Sequence, residues 1–247
     1  MIETLYGRNA VFECLRAGHR EVLKLIVAQG GQERGTLADA IALAGERQIP
    51  VQRVDRQRLD SLGRGVHHQG LMAEVGEYAY VGLEDILAHA AARGESPWLL
   101  LLDCLQDPQN LGALLRTAEV VGVHGVVLPE RRAVGVTPAV VNASSGASEH
   151  MLVAQVTNLV RTIKALQRQD VWIAGLEGVP EATVVWEADL SGAVALVVGS
   201  EGQGMRRLVR ESCDFTVRLP MRGLIGSLNA AVAGSVALYE IARQRGP

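Results

Sequence analysis

Two stretches of this chain, Trp98-Leu-Leu-Leu-Leu-Asp-Cys104 and Ala193-Val-Ala-Leu-Val-Val198, are apolar at almost every position, and each opens directly into a polar turn and a helical pattern. A strand with one wet face alternates apolar and polar residues, so an unbroken apolar run belongs to a strand covered on both sides. Between and around these runs the pattern keeps alternating. Helix Leu111–Val121, strand Gly125–Leu128, helix Pro138–Ser145 and an apolar stretch Met151–Val156 follow the first run. Helix Asn158–Gln169, with Asn158 as its cap, and strand Val171–Leu176 lead to the second run. A short helix Met205–Ser212, strand Phe215–Leu219 and a terminal helix from about Leu228 to Arg243 close the chain. Strand and helix in strict alternation predict an α/β fold with a largely parallel sheet between helical layers.

Residues 1–75 form a smaller α/β pattern: helix Gly7–Ala17, strand Val22–Ala28, helix Thr36–Arg47, and strands Val51–Val54 and Gln69–Val75. Residues 76–97 are acidic and hold a short helix, Leu83–Ala92, which reads as a linker or bridging helix. The expected domains are therefore 1–75, a linker 76–97, and 98–247.

In an open α/β sheet, ligands gather where strands end and helices begin. The first such turn reads Asp107-Pro-Gln-Asn110-Leu-Gly112-Ala-Leu-Leu-Arg116-Thr-Ala118. Arg116 interrupts an apolar helical pattern. It is either a solvated surface charge or a group aimed at an anion, and position alone gives the two readings even weight. The second turn, Gly199-Ser200-Glu201-Gly202-Gln203-Gly204-Met205, is rich in glycine, but its spacing is not GxGxxG and it lies late in the chain, which makes a nicotinamide site a poor reading. Glu201 has a bland alternative as the cap of the Met205 helix. The third turn, Leu219-Pro220-Met221-Arg222-Gly223-Leu224-Ile225-Gly226-Ser227-Leu228-Asn229, offers Ser227 as a natural N-cap for the last helix.

Taken together, Asn110-x-Gly112-x-x-x-Arg116-Thr117-Ala118, the Gly199–Met205 turn and the Leu219–Asn229 turn resemble the three motifs of the SpoU/TrmH family of RNA ribose methyltransferases, in order, across nearly all of 98–247. Two positions depart from the family pattern. Gly226 stands where a polar residue is frequent, and Ala231 where a hydroxyl is. In the front segment, Tyr6-Gly7-Arg8-Asn9-Ala10-Val11 and His68-Gln69-Gly70 resemble the L30e-type substrate domain that precedes some members. The nearest branch is the bacterial 23S ribosomal RNA guanosine-2'-O-methyltransferases.

The resemblance implies a trefoil-knotted (SPOUT) domain behind an L30e-like domain, and a homodimer formed through the C-terminal domain. It implies S-adenosyl-L-methionine held by loops containing Gly199, Gly202, Leu219, Met221 and Leu228. Arg116 would engage the RNA phosphate and the attacking ribose oxygen. Asn110, Glu201, Ser227 and Asn229 would orient the loop and the substrate. Arg8, Asn9, His68 and Gln69 would contact RNA, although a solvated Arg8 and a polar turn at His67-His68 are the bland readings. No metal is implied. A tRNA ribose methyltransferase and an inactive RNA-binding or assembly factor are the alternatives, with an oxidoreductase a distant third.

Composition neither demands nor forbids this. The net charge of −3 argues mildly against nucleic acid, which wants clustered cations. Only Lys24 and Lys164 among the cations are lysines, and arginine is the better fork for phosphate. Cys14, Cys104 and Cys213 form no CxxC pair, which suits reduced thiols in the cytoplasm. No apolar run reaches the ~20 residues that span a bilayer, and the first residues do not resemble a signal peptide.

Overall fold

The computed structural model describes residues 2–246. Its contacts divide into two compact units, one holding the chain through Ala79 together with Val136–His150, the other holding Tyr80–Gly135 and the chain from Met151 onward.

In the first unit the chain runs β1 (Glu3–Tyr6), α1 (Arg8–Ala17), β2 (Val22–Ala28), α2 (Thr36–Glu46), β3 (Val51–Val54), α3 (Arg56–Gly63) and β4 (Leu71–Val75). The sheet order is β1-β4-β2-β3. β4 pairs antiparallel with both β1 and β2, whereas β2 and β3 run parallel. Leu5, Val11, Leu15, Leu25, Val27 and Leu71 are fully buried between sheet and helices. The elements read from the sequence are present. β1 and α3 are additional, and α3 is stopped at its start by Asp55, whose carboxylate accepts the Arg58 N–H at 2.7 Å.

The second unit begins with α4 (Leu83–Ala92), β5 (Trp98–Asp103), α5 (Pro108–Val121) and β6 (Gly125–Pro129). The chain then contributes α6 (Pro138–Ala143) and a single 3-10 turn, Ala147–His150, to the first unit. It returns with β7 (Val153–Val156), α7 (Leu159–Gln167), β8 (Trp172–Leu176), β9 (Thr183–Val184), β10 (Val194–Gly199), α8 (Arg207–Arg210), β11 (Phe215–Arg218) and α9 (Ala230–Arg245). Seven strands, all parallel, lie in the order β7-β6-β5-β10-β8-β11-β9.

The two apolar runs sit side by side at the centre. Every residue of β5 and β10 is buried, and each leucine so removed from water contributes roughly 2 kcal/mol. Helix α4, in the stretch read as a linker, inserts Ile86 into this core beside Leu99, Leu101 and Val127. Asn158 caps α7 as expected, accepting from Arg161 N at 3.1 Å. Among the described residues no helix is long and apolar enough to cross a membrane.

Candidate active site

The pairing of β5 with β10 places Asp103 opposite Gly199 at the carboxyl ends of the two strands. The first two turns therefore leave the sheet as neighbours, although about a hundred residues of chain separate them. Asp107 caps α5 by accepting from Gln109 N at 3.0 Å, and Pro108 at the first helical position sets the entry angle. At Gly199 there is no room for a side chain, because a Cβ would overlap the carbonyl carbon of Gly204 and the nitrogen of Met205. The loop that follows closes on itself through Ser200 N to Gly204 O at 3.1 Å and Gly204 N to Ser200 O at 3.0 Å.

The third turn ends at α9, which packs along α5. Thr117 and Ser235 share a hydroxyl hydrogen bond of 2.8 Å. Gly234 lies so near Leu114 that a Cβ would stand 2.6 Å from its Cδ2. The first residues of α9 are thereby brought to the mouth of the first two turns.

Three side chains, one from each motif, meet there. Asn110 Nδ2 donates to Glu201 Oε1 at 3.0 Å, and Asn229 Nδ2 donates to Asn110 Oδ1 at 2.8 Å and also to Glu201 Oε1. Asn229 holds the start of α9 at the same time, its Oδ1 accepting from Ala231 N and Val232 N at 2.9 and 3.1 Å. This corrects the expectation that Ser227 caps the last helix. The helix starts two residues later than that cap requires, and Ser227 remains an exposed residue of the preceding loop. Nor does Glu201 cap the following helix. That helix, α8, is anchored by Asp103, which is fully buried and accepts from Arg206 N at 2.7 Å and Arg206 Nε at 2.8 Å.

A cleft of about 630 Å³ opens beside the cluster, lined by Gly199, Gly202, Leu219, Met221, Ser227 and Leu228 together with Glu201 and Asn229. Its volume is that of a small-molecule site. Glu177, which the sequence did not single out, also lines it. The Oε2 atom of Glu177 is buried with no hydrogen-bond partner, which leaves an acceptor ready for a ligand hydroxyl or amine. Arg116 lies six residues beyond Asn110 on α5, exposed, and does not line this cleft.

The cysteines are free thiols. Burial pushes Cys213 up to about 12 and also raises Cys14 and Cys104, so none is a ready nucleophile. No group of three His, Cys, Asp or Glu among the described residues could hold a metal ion.

In the first unit, Arg8 opens α1 and its Nε donates to the Gln69 carbonyl at 3.0 Å, which puts Arg8, the exposed Asn9 and the exposed Gln69 on one edge. His68 is buried. Its Nδ1 accepts from Gly70 N at 3.0 Å, so its Nε2 carries the proton donated to Asp60 at 2.7 Å. Both ring nitrogens are used in shaping the turn that presents Gln69.

Residues 97–239 match the SpoU rRNA methylase family, and residues 4–81 match the RNA 2'-O ribose methyltransferase substrate-binding family. YacO of Bacillus subtilis (strain 168), named as a TrmH family tRNA/rRNA methyltransferase, is 44% identical over 98% of this chain and 95% of its own. The 23S rRNA (guanosine-2'-O-)-methyltransferase RlmB of Xylella fastidiosa (strain 9a5c) is 43% identical over 98% of this chain and 96% of its own. In fold, the chain resembles the SpoU methyltransferase AviRb of Streptomyces viridochromogenes, solved with S-adenosylmethionine, with a TM-score of 0.80 at 23% identity over 98% of this chain and 89% of that one. The chain belongs to the SpoU rRNA methylase family. It is an S-adenosylmethionine-dependent RNA methyltransferase.

Proposed function

We propose that the enzyme methylates the ribose 2'-hydroxyl of a guanosine in 23S ribosomal RNA, acting in the cytoplasm as a homodimer. The observation that carries the reaction is the convergence of Asn110, Glu201 and Asn229 at the mouth of a cofactor-sized cleft. The choice of substrate rests on the full-length likeness to the Xylella enzyme. The Bacillus relative's name covers tRNA as well as rRNA, which keeps a tRNA guanosine as the second reading.

S-adenosylmethionine fits the cleft: the side-chain-free turn at Gly199 lets the loop fold tightly onto Gly204 and Met205 and form a firm cleft wall, and the unpartnered Glu177 oxygen supplies an acceptor. When bound, it supplies an electrophilic methyl on its sulfonium. Gly199, Gly202, Leu219, Met221 and Leu228 hold it, and the Asn110–Glu201–Asn229 cluster fixes the loops that align the ribose oxygen, which is where positional catalysis gains its rate. Ser227, on the cleft wall, orients substrate. Arg116 engages the RNA phosphate and the attacking oxygen, and the hydroxyl proton leaves to solvent, because a guanidinium is a poor base at neutral pH.

The pairing face we assign to α5 and α9, where Val120, Val232, Val236 and Tyr239 are exposed. Arg116 stands one turn before Val120, at the edge of that face and still open to RNA. In this reading the third-motif segment threads the knot of the family fold, and the first unit is the L30e-like RNA domain, with Arg8, Asn9 and Gln69 touching RNA and His68 holding their turn. Arg116→Ala is expected to abolish methyl transfer while S-adenosylmethionine still binds with unchanged affinity by calorimetry. Methylation near the wild-type rate would overturn the assignment.

A further inference from the structure

Past the three-residue cluster, the surface of the second unit continues into two joined grooves. The nearer one, about 610 Å³, shares Ser200, Glu201 and Gln203 with the cofactor cleft and is also lined by Asn110. It shares Arg132, Arg206 and Arg207 with the farther one, of about 1160 Å³. The path from the reacting centre outward is therefore continuous.

The charge along the far groove is one-sided. Arg131, Arg132, Lys164, Arg206 and Arg207 line it, against a single carboxylate, Glu211. In a chain of net charge −3 that is a local concentration and not a general surface property. The cations fall into two groups. Arg206 is tied to the buried Asp103 at 2.6 Å and Arg207 to Glu211 at 2.8 Å, which holds those two in place. Arg131, Arg132 and Lys164 are exposed and make no ion pair among the described residues. A groove that gathers like charges without neutralising them lowers stability slightly by repulsion, and a polyanion relieves it. No Trp, Tyr or Phe lines the groove, so it lacks the platforms on which bases stack.

We infer that this groove binds the sugar–phosphate backbone of the substrate RNA beside the target nucleotide, with Arg131, Arg132 and Lys164 as phosphate contacts that position the strand without reading its bases. The inference rests on the RNA methyltransferase reading above and adds to it the route of the strand. Base recognition then falls to other parts of the enzyme.

The double variant Arg131→Gln/Lys164→Gln tests it in the full-length enzyme, with a 23S rRNA transcript as the probe and binding measured from 50 to 300 mM salt. The plot of log affinity against log salt is expected to become shallower by about 1.4 to 1.8, two phosphate contacts having been lost. KM for the RNA should rise about tenfold at low salt with kcat within about twofold, and S-adenosylmethionine affinity should not change. The loss should be equal on transcripts whose bases flanking the target are exchanged. A variant with the wild-type salt slope and KM, beside a wild type that binds and methylates the transcript, would overturn the groove alone. A wild type that binds no RNA would overturn the groove and the proposed function together.

Discussion

Asn229 does two jobs with one amide, and they can be separated. Its oxygen caps α9 and its nitrogen donates to Asn110 and Glu201. Asn229→Asp keeps the cap, since a carboxylate at a helix N-terminus is favourable, but it removes the donor and sets two carboxylates against each other. We expect its melting temperature within a few degrees of wild type and methyl transfer reduced about ten- to a hundredfold, the worth of a hydrogen bond to a charged group. Asn229→Ala should lose the same activity and also about 1 kcal/mol of stability in urea. Were Asn229→Asp as active as wild type, the cluster would be a helix cap and no more. Asn110, Glu201 and Asn229 stood out in the sequence only through the resemblance of their three turns to the family motifs, because no local pattern marks them. Which of Ser227 and Asn229 caps the last helix was not legible, because both are good caps and only the path of the chain decides. Asp103 stood in view as the charged end of an apolar strand. Glu177 lies in a loop with nothing to distinguish it, and only the cleft around it reveals it.

At the level of elements, the entry to β5 depends on a neutral histidine. His124 is buried; its Nδ1 accepts from Trp98 N at 2.9 Å, and its Nε2 proton goes to Glu95 at 2.9 Å. Burial lowers its pKa below the ordinary 6.5, with Glu95 opposing. For a base lowered in the folded state, the unfolded chain takes up the proton first. Stability is thus full above about 6.5 and declines as pH falls from there through the folded value. A thermal melt series from pH 7.5 to 5 should show this fall, and His124→Gln should start lower and change less. A wild-type melting temperature flat across that range would contradict the geometry. The sequence foretold β5, β10, α4 and the cap of α7 well, since long apolar runs and Asx caps are local signals. β1, α3 and β9 escaped because they are short or polar and are fixed by pairing partners far along the chain. The helix read as Met205–Ser212 is only Arg207–Arg210, because Asp103 seizes the Arg206 N–H.

On the scale of the whole molecule, the first unit is closed by residues that arrive late. Arg20 is buried with its guanidinium on Glu149 at 3.1 Å and on Glu3, its Nε on the Gly76 carbonyl, and its Cζ 5.5 Å from the centre of the Tyr78 ring. Burial raises Glu149, and Arg20 opposes it. Arg20→Ala would leave that carboxylate buried and unpaired, at a cost of about 3 to 5 kcal/mol. A urea midpoint unchanged from wild type would show the pairs to be dispensable. Nothing near Arg20 or Glu149 in the sequence announces a partner 129 residues away, which is why residues 136–150 were read with the catalytic region while their contacts lie with the front unit. The enzyme's activity is defined by which hydroxyl it methylates. Tritiated S-adenosylmethionine supplied with unmodified 23S rRNA and with bulk tRNA, followed by digestion and nucleoside analysis, answers that directly. Label in the rRNA as 2'-O-methylguanosine is the predicted result. Label confined to tRNA would contradict the substrate, and label in neither would contradict the proposed reaction itself.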